Sequence, residues 1–160
     1  MKTFALFHPG EMGATLGTAL ASRGFRVLWA SQGRSTQTAV RAKAASLEGV
    51  CTIEQAVKAA EVVVSVCPPH AALALARQAA ANGFGGIYVD ANAISPATAR
   101  EIGTVIEAAG GTFVDGGMIG LLQSGRFSRC SSRARRAARC WCSRTRVEIF
   151  WIACLGNRWN

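Results

Sequence analysis

At 160 residues, half of them hydrophobic, the chain can bury one sizeable core and not two, so a single folded unit is expected. Its formal net charge of +9 points to a nucleic-acid partner only until it is mapped: residues 1–120 carry nine basic and eight acidic side chains, whereas residues 121–160 carry nine arginines against one acid. No apolar run approaches the roughly 20 residues that span a bilayer, and the first residues lack a signal-peptide pattern, so a cytoplasmic protein without a membrane partner is expected.

Residues 3 to 7 form an apolar run that predicts a strand, followed by the turn His8-Pro9-Gly10-Glu11-Met12-Gly13 and a helix over 11 to 23. Strand to glycine turn to helix is where a nucleotide phosphate binds, because the free N–H groups of the helix start face the anion. Gly10 lets the backbone come close to a pyrophosphate and Gly13 lets the helix lie tight on the strand. His8 stands where the pattern G-x-G-x-x-G has its first glycine. Arg26 to Ala30 predicts a second strand and 36 to 46 an alanine-rich helix. Val50 to Thr52 predicts a short third strand, and Ile53 to Ala60 a helix. The β-branched run Glu61 to Val66 predicts a strand buried on both faces, stopped by Pro68-Pro69. A helix over 70 to 82, a strand over Gly86 to Asp90, a helix over Ser95 to Ala109 with Ser95 as cap, and a strand over Thr112 to Asp115 complete the series. Strands alternating with helices imply right-handed crossovers and a doubly wound, mostly parallel α/β sheet of Rossmann type, with an irregular basic C-terminal tail.

In such a sheet the ligand lies across the carboxyl ends of the strands. An NAD site places a carboxylate about 20 residues beyond the glycines to hold the ribose 2′-hydroxyl. Here that stretch reads Ser31-Gln32-Gly33-Arg34-Ser35, with no acid. An arginine suits a 2′-phosphate through charge-assisted hydrogen bonds, so NADP is favoured over NAD, with Ser31, Arg34 and Ser35 on the nucleotide. The competing assignment of Arg34 is a solvated loop cation.

The order of these motifs resembles the NADP-binding domain of the β-hydroxyacid dehydrogenases, the group that includes 3-hydroxyisobutyrate and 6-phosphogluconate dehydrogenases. Pro9-Gly10-Glu11-Met12-Gly13 is similar to their G-x-G-x-M-G turn, and Val66-Cys67-Pro68-Pro69 to the loop that packs beside the cofactor. Asp90-Ala91-Asn92-Ala93-Ile94-Ser95-Pro96 resembles their D-x-S-T-x-x-P segment, which borders nicotinamide and substrate. Phe113 to Gly120 resembles their glycine-rich strand end. The resemblance spans residues 1–120. It implies cofactor contacts from Pro9, Gly10, Glu11, Met12, Gly13, Cys67, Pro68, Pro69 and Asn92, and substrate contacts from Asn92, Gly116 and Gly117; from their own positions His8 is read as a phosphate contact or equally as a capped loop histidine, and His70, opening a helix, as a further candidate for the cofactor. It also implies hydride transfer on a small hydroxy or keto acid. Asn92 replaces the family's usual serine. Relatives take their catalytic lysine from a helical second domain, but no lysine follows Lys58, so the catalytic residues are left unassigned and weak or no turnover is expected. Surface that such a domain would cover is expected to drive self-association.

From residue 121 the alternation stops. Arg126, Arg129, Arg133, Arg135, Arg136, Arg139, Arg144 and Arg146 are interleaved with serine, alanine and cysteine, and only Val147 to Leu155 is apolar enough to be buried. A basic arm for nucleic acid would neutralise phosphates with these arginines and stack a base on Trp141. That makes a non-enzymatic binding module the alternative function. The spacing of Cys130, Cys140, Cys142 and Cys154 lacks paired C-x-x-C knuckles, so no metal is assigned. A reading-frame slip after Gly120 is the preferred reading, since it accounts for the abrupt change in composition.

Other residues have plain structural assignments. Cys67 reads as a small buried hydrophobe, His70 as a surface residue and Trp29 as packing against the core or the adenine side. Asp90 and Asp115 end strands at the ligand edge. Stabilising the adjoining loops is favoured for both over a general-base role.

Overall fold

The computed structural model describes residues 2–117 and 150–151. In chain order the elements are β1 (Thr3–Phe7), α1 (Glu11–Ala21), β2 (Arg26–Ala30), α2 (Thr36–Ala44), β3 (Glu48–Val50), α3 (Ile53–Ala59), β4 (Val62–Ser65), a 3-10 turn (Pro69–Ala71), α4 (Ala72–Ala81), β5 (Ile87–Asp90), α5 (Pro96–Ala108), β6 (Thr112–Gly117) and β7 (Phe150–Trp151). The strands form one sheet in the order β3-β2-β1-β4-β5-β6-β7. All neighbours are parallel except β6 and β7. The order reverses between β1 and β4, which is the switch point of a doubly wound Rossmann-type sheet.

The alternation of the strands sorts their side chains into two cores. Ala5, Phe7, Val63, Tyr88 and Phe113 face α3, α4 and α5, while Leu6, Val27, Trp29, Val62, Val64 and Val89 face α1 and α2. Because both faces are covered, the inner strands read as continuous apolar runs rather than as alternating ones. Local chemistry sets the helix starts: Ser35 and Ser95 each accept from the backbone N–H three residues on, and Thr52 forms a capping box with Gln55. Gly110, at φ 86°, turns the chain out of α5.

Three expectations are corrected. β3 lies two residues earlier than expected, because Thr52 is committed as the cap of α3 and the strand takes its register from β2, with Leu28 opposite Glu48. Glu48 then receives the Arg26 guanidinium across the strands, one contact being 2.7 Å from Nε. The helix expected from residue 70 opens as a 3-10 turn and becomes α-helical only at Ala72. β6 does not stop at Asp115. Gly116 and Gly117 continue it, opposite Trp151 and Phe150 of antiparallel β7, which falls within the apolar segment Val147 to Leu155. The arginine run and the four cysteines of the tail lie outside the described residues. Among the described residues no helix is long and apolar enough to cross a membrane, and no group of three His, Cys, Asp or Glu side chains is placed to hold a metal.

Candidate nucleotide site

The turn after β1 is built around a backbone contact. Gly13 lies so close to the strand end that a Cβ there would sit 2.6 Å from the His8 carbonyl oxygen. Gly10 borders open space, with nothing within 4 Å of a Cβ built on it. It is also the N-cap of α1 and brings no side chain to cap it, in contrast to Ser35, Thr52 and Ser95 on α2, α3 and α5. Among the described residues, the backbone N–H groups of Glu11, Met12 and Gly13 therefore have no acceptor. Orphan donors at the positive end of a helix dipole, next to a vacant glycine surface, fit a pyrophosphate. Pro9 is fully buried and shapes the turn from below.

The loop after β2 is tied down by β3. Ser31 donates from both its N–H (2.8 Å) and its hydroxyl (3.0 Å) to the Val50 carbonyl, and the Gln32 N–H donates to Cys51 (2.9 Å). This holds Arg34 on the rim of a cavity of about 310 Å³ lined also by Ala30, Gln32, Cys51, Thr52, Ile53 and Glu54. The Glu54 carboxylate already receives Lys58 Nζ at 2.6 Å. Ser35 lies next in the chain, but its hydroxyl accepts from the Thr38 N–H (3.2 Å) as the α2 cap.

His8 and Arg34 join the two loops. Arg34 Nη1 lies 2.5 Å from His8 Nδ1, and Nη2 lies 3.2 Å from Nε2. His8 adopts φ 62°, the left-handed conformation that suits the glycine it replaces. Burial, reinforced by the Arg34 charge, pulls its pKa from 6.5 down to about 4, so the ring is neutral at pH 7. A histidine that resists protonation when folded binds fewer protons than its unfolded counterpart. Stability present above pH 6.5 should then be lost progressively as the pH falls toward about 4. His8→Asn, which tolerates the same backbone, should flatten that part of a denaturant-midpoint profile. An unchanged profile would remove His8 from the acid response.

At the ends of β4 and β5 a buried polar network closes the floor. The Asn92 N–H and Nδ2 donate to the two carboxylate oxygens of Asp90 (2.9 and 3.0 Å), and Nδ2 donates also to Ser65 Oγ (3.2 Å). Asn92 Oδ1 accepts from the Cys67 N–H at 2.7 Å. Both amide hydrogens of Asn92 are thus spent inside the loop, and Asp90 serves the loop as expected. Burial, only partly offset by the Asn92 hydrogen bonds, raises the Asp90 pKa; burial also raises that of Asp115, its partner in register on β6. Burial likewise pushes the Cys67 thiol up, which makes it a poor nucleophile. Pro68, Pro69 and His70 are exposed on the loop and 3-10 turn that follow. Gly116 and Gly117 sit within a paired strand rather than a free loop.

Sequence reading passed over Ser65 and Tyr88. Ser65 is fully buried within the valine run, and its polarity there was the available signal. Tyr88 is also fully buried, and its hydroxyl has no hydrogen-bond partner among the described residues.

Comparison with known proteins agrees with this geometry. The family model for the NAD binding domain of 6-phosphogluconate dehydrogenase matches residues 4–124. A solved conserved protein of unknown function, described as structurally similar to 3-hydroxyacid dehydrogenases, is 35% identical, with a TM-score of 0.70 over 77% of this chain and 46% of its own. The Mycobacterium tuberculosis 3-hydroxyisobutyrate dehydrogenase with L-serine is 24% identical, with a TM-score of 0.68 over 78% of this chain and 43% of its own. A Myxococcus stipitatus imine reductase variant in complex with NAD+ is 20% identical, with a TM-score of 0.68 over 79% and 45%. The last two are likenesses of fold. No curated protein sequence matches the chain. The chain spans less than half the length of these solved proteins. By the match over residues 4–124, with its glycine turn and open helix start, the chain belongs to the family of the NAD binding domain of 6-phosphogluconate dehydrogenase, a nicotinamide-nucleotide-binding Rossmann domain of oxidoreductases.

Proposed function

We propose that this chain binds NADP(H) in preference to NAD(H), as the nucleotide half of an oxidoreductase acting on a small hydroxy or keto acid. The observation that carries the preference is the placement of Arg34 on the rim of the β2-end cavity, with no carboxylate between Ser31 and Ser35 to take a ribose 2′-hydroxyl. The pyrophosphate would lie on Gly10 and the N–H groups of Glu11, Met12 and Gly13, and the nicotinamide would extend toward the Cys67-to-His70 loop. Bound there, the nicotinamide supplies the hydride. Asn92 exchanges no proton at neutral pH, and the two hydrogen bonds that Asp90 accepts from Asn92 support a loop-stabilising role for its carboxylate over a proton-transfer one. Arg34→Ala should weaken NADPH binding by about 1 to 3 kcal/mol, the range for a lost charge-assisted hydrogen bond, and leave NADH nearly unchanged in calorimetric titration. Equal loss for both nucleotides, or loss for neither, would refute the 2′-phosphate assignment.

A further inference from the structure

We propose that His8 determines cofactor specificity, forming with Arg34 a two-donor clasp for a 2′-phosphate, an inference that rests on the NADP reading of Arg34. The turn pattern calls for glycine at this position, and the left-handed backbone there, at φ 62°, is one glycine adopts freely and histidine adopts only under strain. What the imidazole contributes in return is a contact with a side chain 26 positions away, between the glycine turn and the β2 loop.

The protonation chemistry of the pair defines the clasp. A guanidinium has donors only, and a neutral imidazole accepts at only one of its two ring nitrogens. The two ring nitrogens lie 2.5 Å from Nη1 and 3.2 Å from Nη2, so whichever of them accepts, the other carries an N–H beside the guanidinium donors. Two N–H groups side by side with no acceptor between them are satisfied by a single oxygen within reach of both. A 2′-phosphate offers three anionic oxygens for this; a ribose hydroxyl offers one weak neutral acceptor. The unpaired N–H groups at the start of α1 add positive potential on the same turn. The carboxylate lining the cavity, Glu54, is neutralised by Lys58, and Glu11 is exposed at the first turn of α1.

The test is a calorimetric titration of the full chain with NADP+ and NAD+, using wild type, His8→Gly, His8→Asn, Arg34→Ala and the double variant His8→Gly/Arg34→Ala. Both His8 substitutions suit a left-handed backbone, so the turn should fold, and melting curves check this. Each is expected to weaken NADP+ about tenfold, the effect of losing one hydrogen bond to a charged group, with NAD+ unchanged. The double variant should lose less than the sum of the single losses. The His8 ring ¹⁵N signals should shift on adding NADP+ but not NAD+. If wild type binds both nucleotides equally, the Arg34 reading fails and the clasp with it. If Arg34→Ala removes the preference while both His8 variants keep it, the clasp alone is wrong. Equal weakening of both nucleotides in the His8 variants would also overturn it, by showing that His8 only shapes the turn.

Discussion

Gly13→Val is expected to abolish binding of NADPH and NADH together and to lower the stability of the fold. A side chain at this position must begin 2.6 Å from the His8 carbonyl oxygen, and that obstacle is backbone, which cannot turn aside as a side-chain tip can. To accept it, α1 must lift off the end of β1, taking with it the three unpaired N–H groups proposed to bind the pyrophosphate. Forcing bulk into a packed contact of this kind costs about 1 to 3 kcal/mol of stability. The informative control is Gly10→Ala. Its methyl group enters open space at an ordinary backbone angle, φ −69°, so the fold should be retained, while the surface where a pyrophosphate would rest is filled. Urea titration and nucleotide calorimetry on the two variants should separate the roles: Gly13→Val loses both stability and binding, Gly10→Ala binding alone. Nucleotide affinity that survives in both would place the cofactor elsewhere.

Asn92→Ala should destabilise the protein by about 3 kcal/mol, because the deletion strands partners that burial denies to water. The Cys67 N–H loses its acceptor at 2.7 Å, Asp90 loses one donor to its carboxylate, and Ser65 loses another. A buried carboxylate short of donors costs more than a neutral group would. Asp90 should consequently become still easier to protonate, its pKa already being raised by burial. A carboxylate of this kind favours the folded state more as the pH falls toward its folded pKa, so the Asn92→Ala deficit should narrow in mild acid. Denaturant midpoints at neutral and mildly acidic pH provide the measurement. A variant of normal stability that fails to bind nucleotide or substrate would show that Asn92 is a ligand contact rather than the tie between the two strand ends.

Much of this architecture was legible along the chain because its signals are local. The valine run of β4, the caps at Ser35, Thr52 and Ser95, and the glycines at 10 and 13 each act within a few residues, and each lies where its chemistry required. The alternation of these elements implied the doubly wound sheet before any contact was known. What sequence could not supply was partnership between distant elements. Glu48–Val50 rather than the following residues became β3 because the register against β2 and the capping of α3 compete for the same few positions. The strand expected to end at Asp115 continues through 116 and 117 because it pairs with residues 150 and 151, more than thirty positions on. His8 and Arg34 are each assigned to the nucleotide separately; folding both strands into adjacent places in the sheet brings the imidazole and guanidinium into contact. The hydrogen bonds of Asn92 to Ser65 and Asp90 likewise depend on the neighbouring ends of β4 and β5. Helix caps and turns are decided by neighbours in the chain, whereas the hydrogen-bond partners of a buried side chain are decided by which strands the packed core sets side by side.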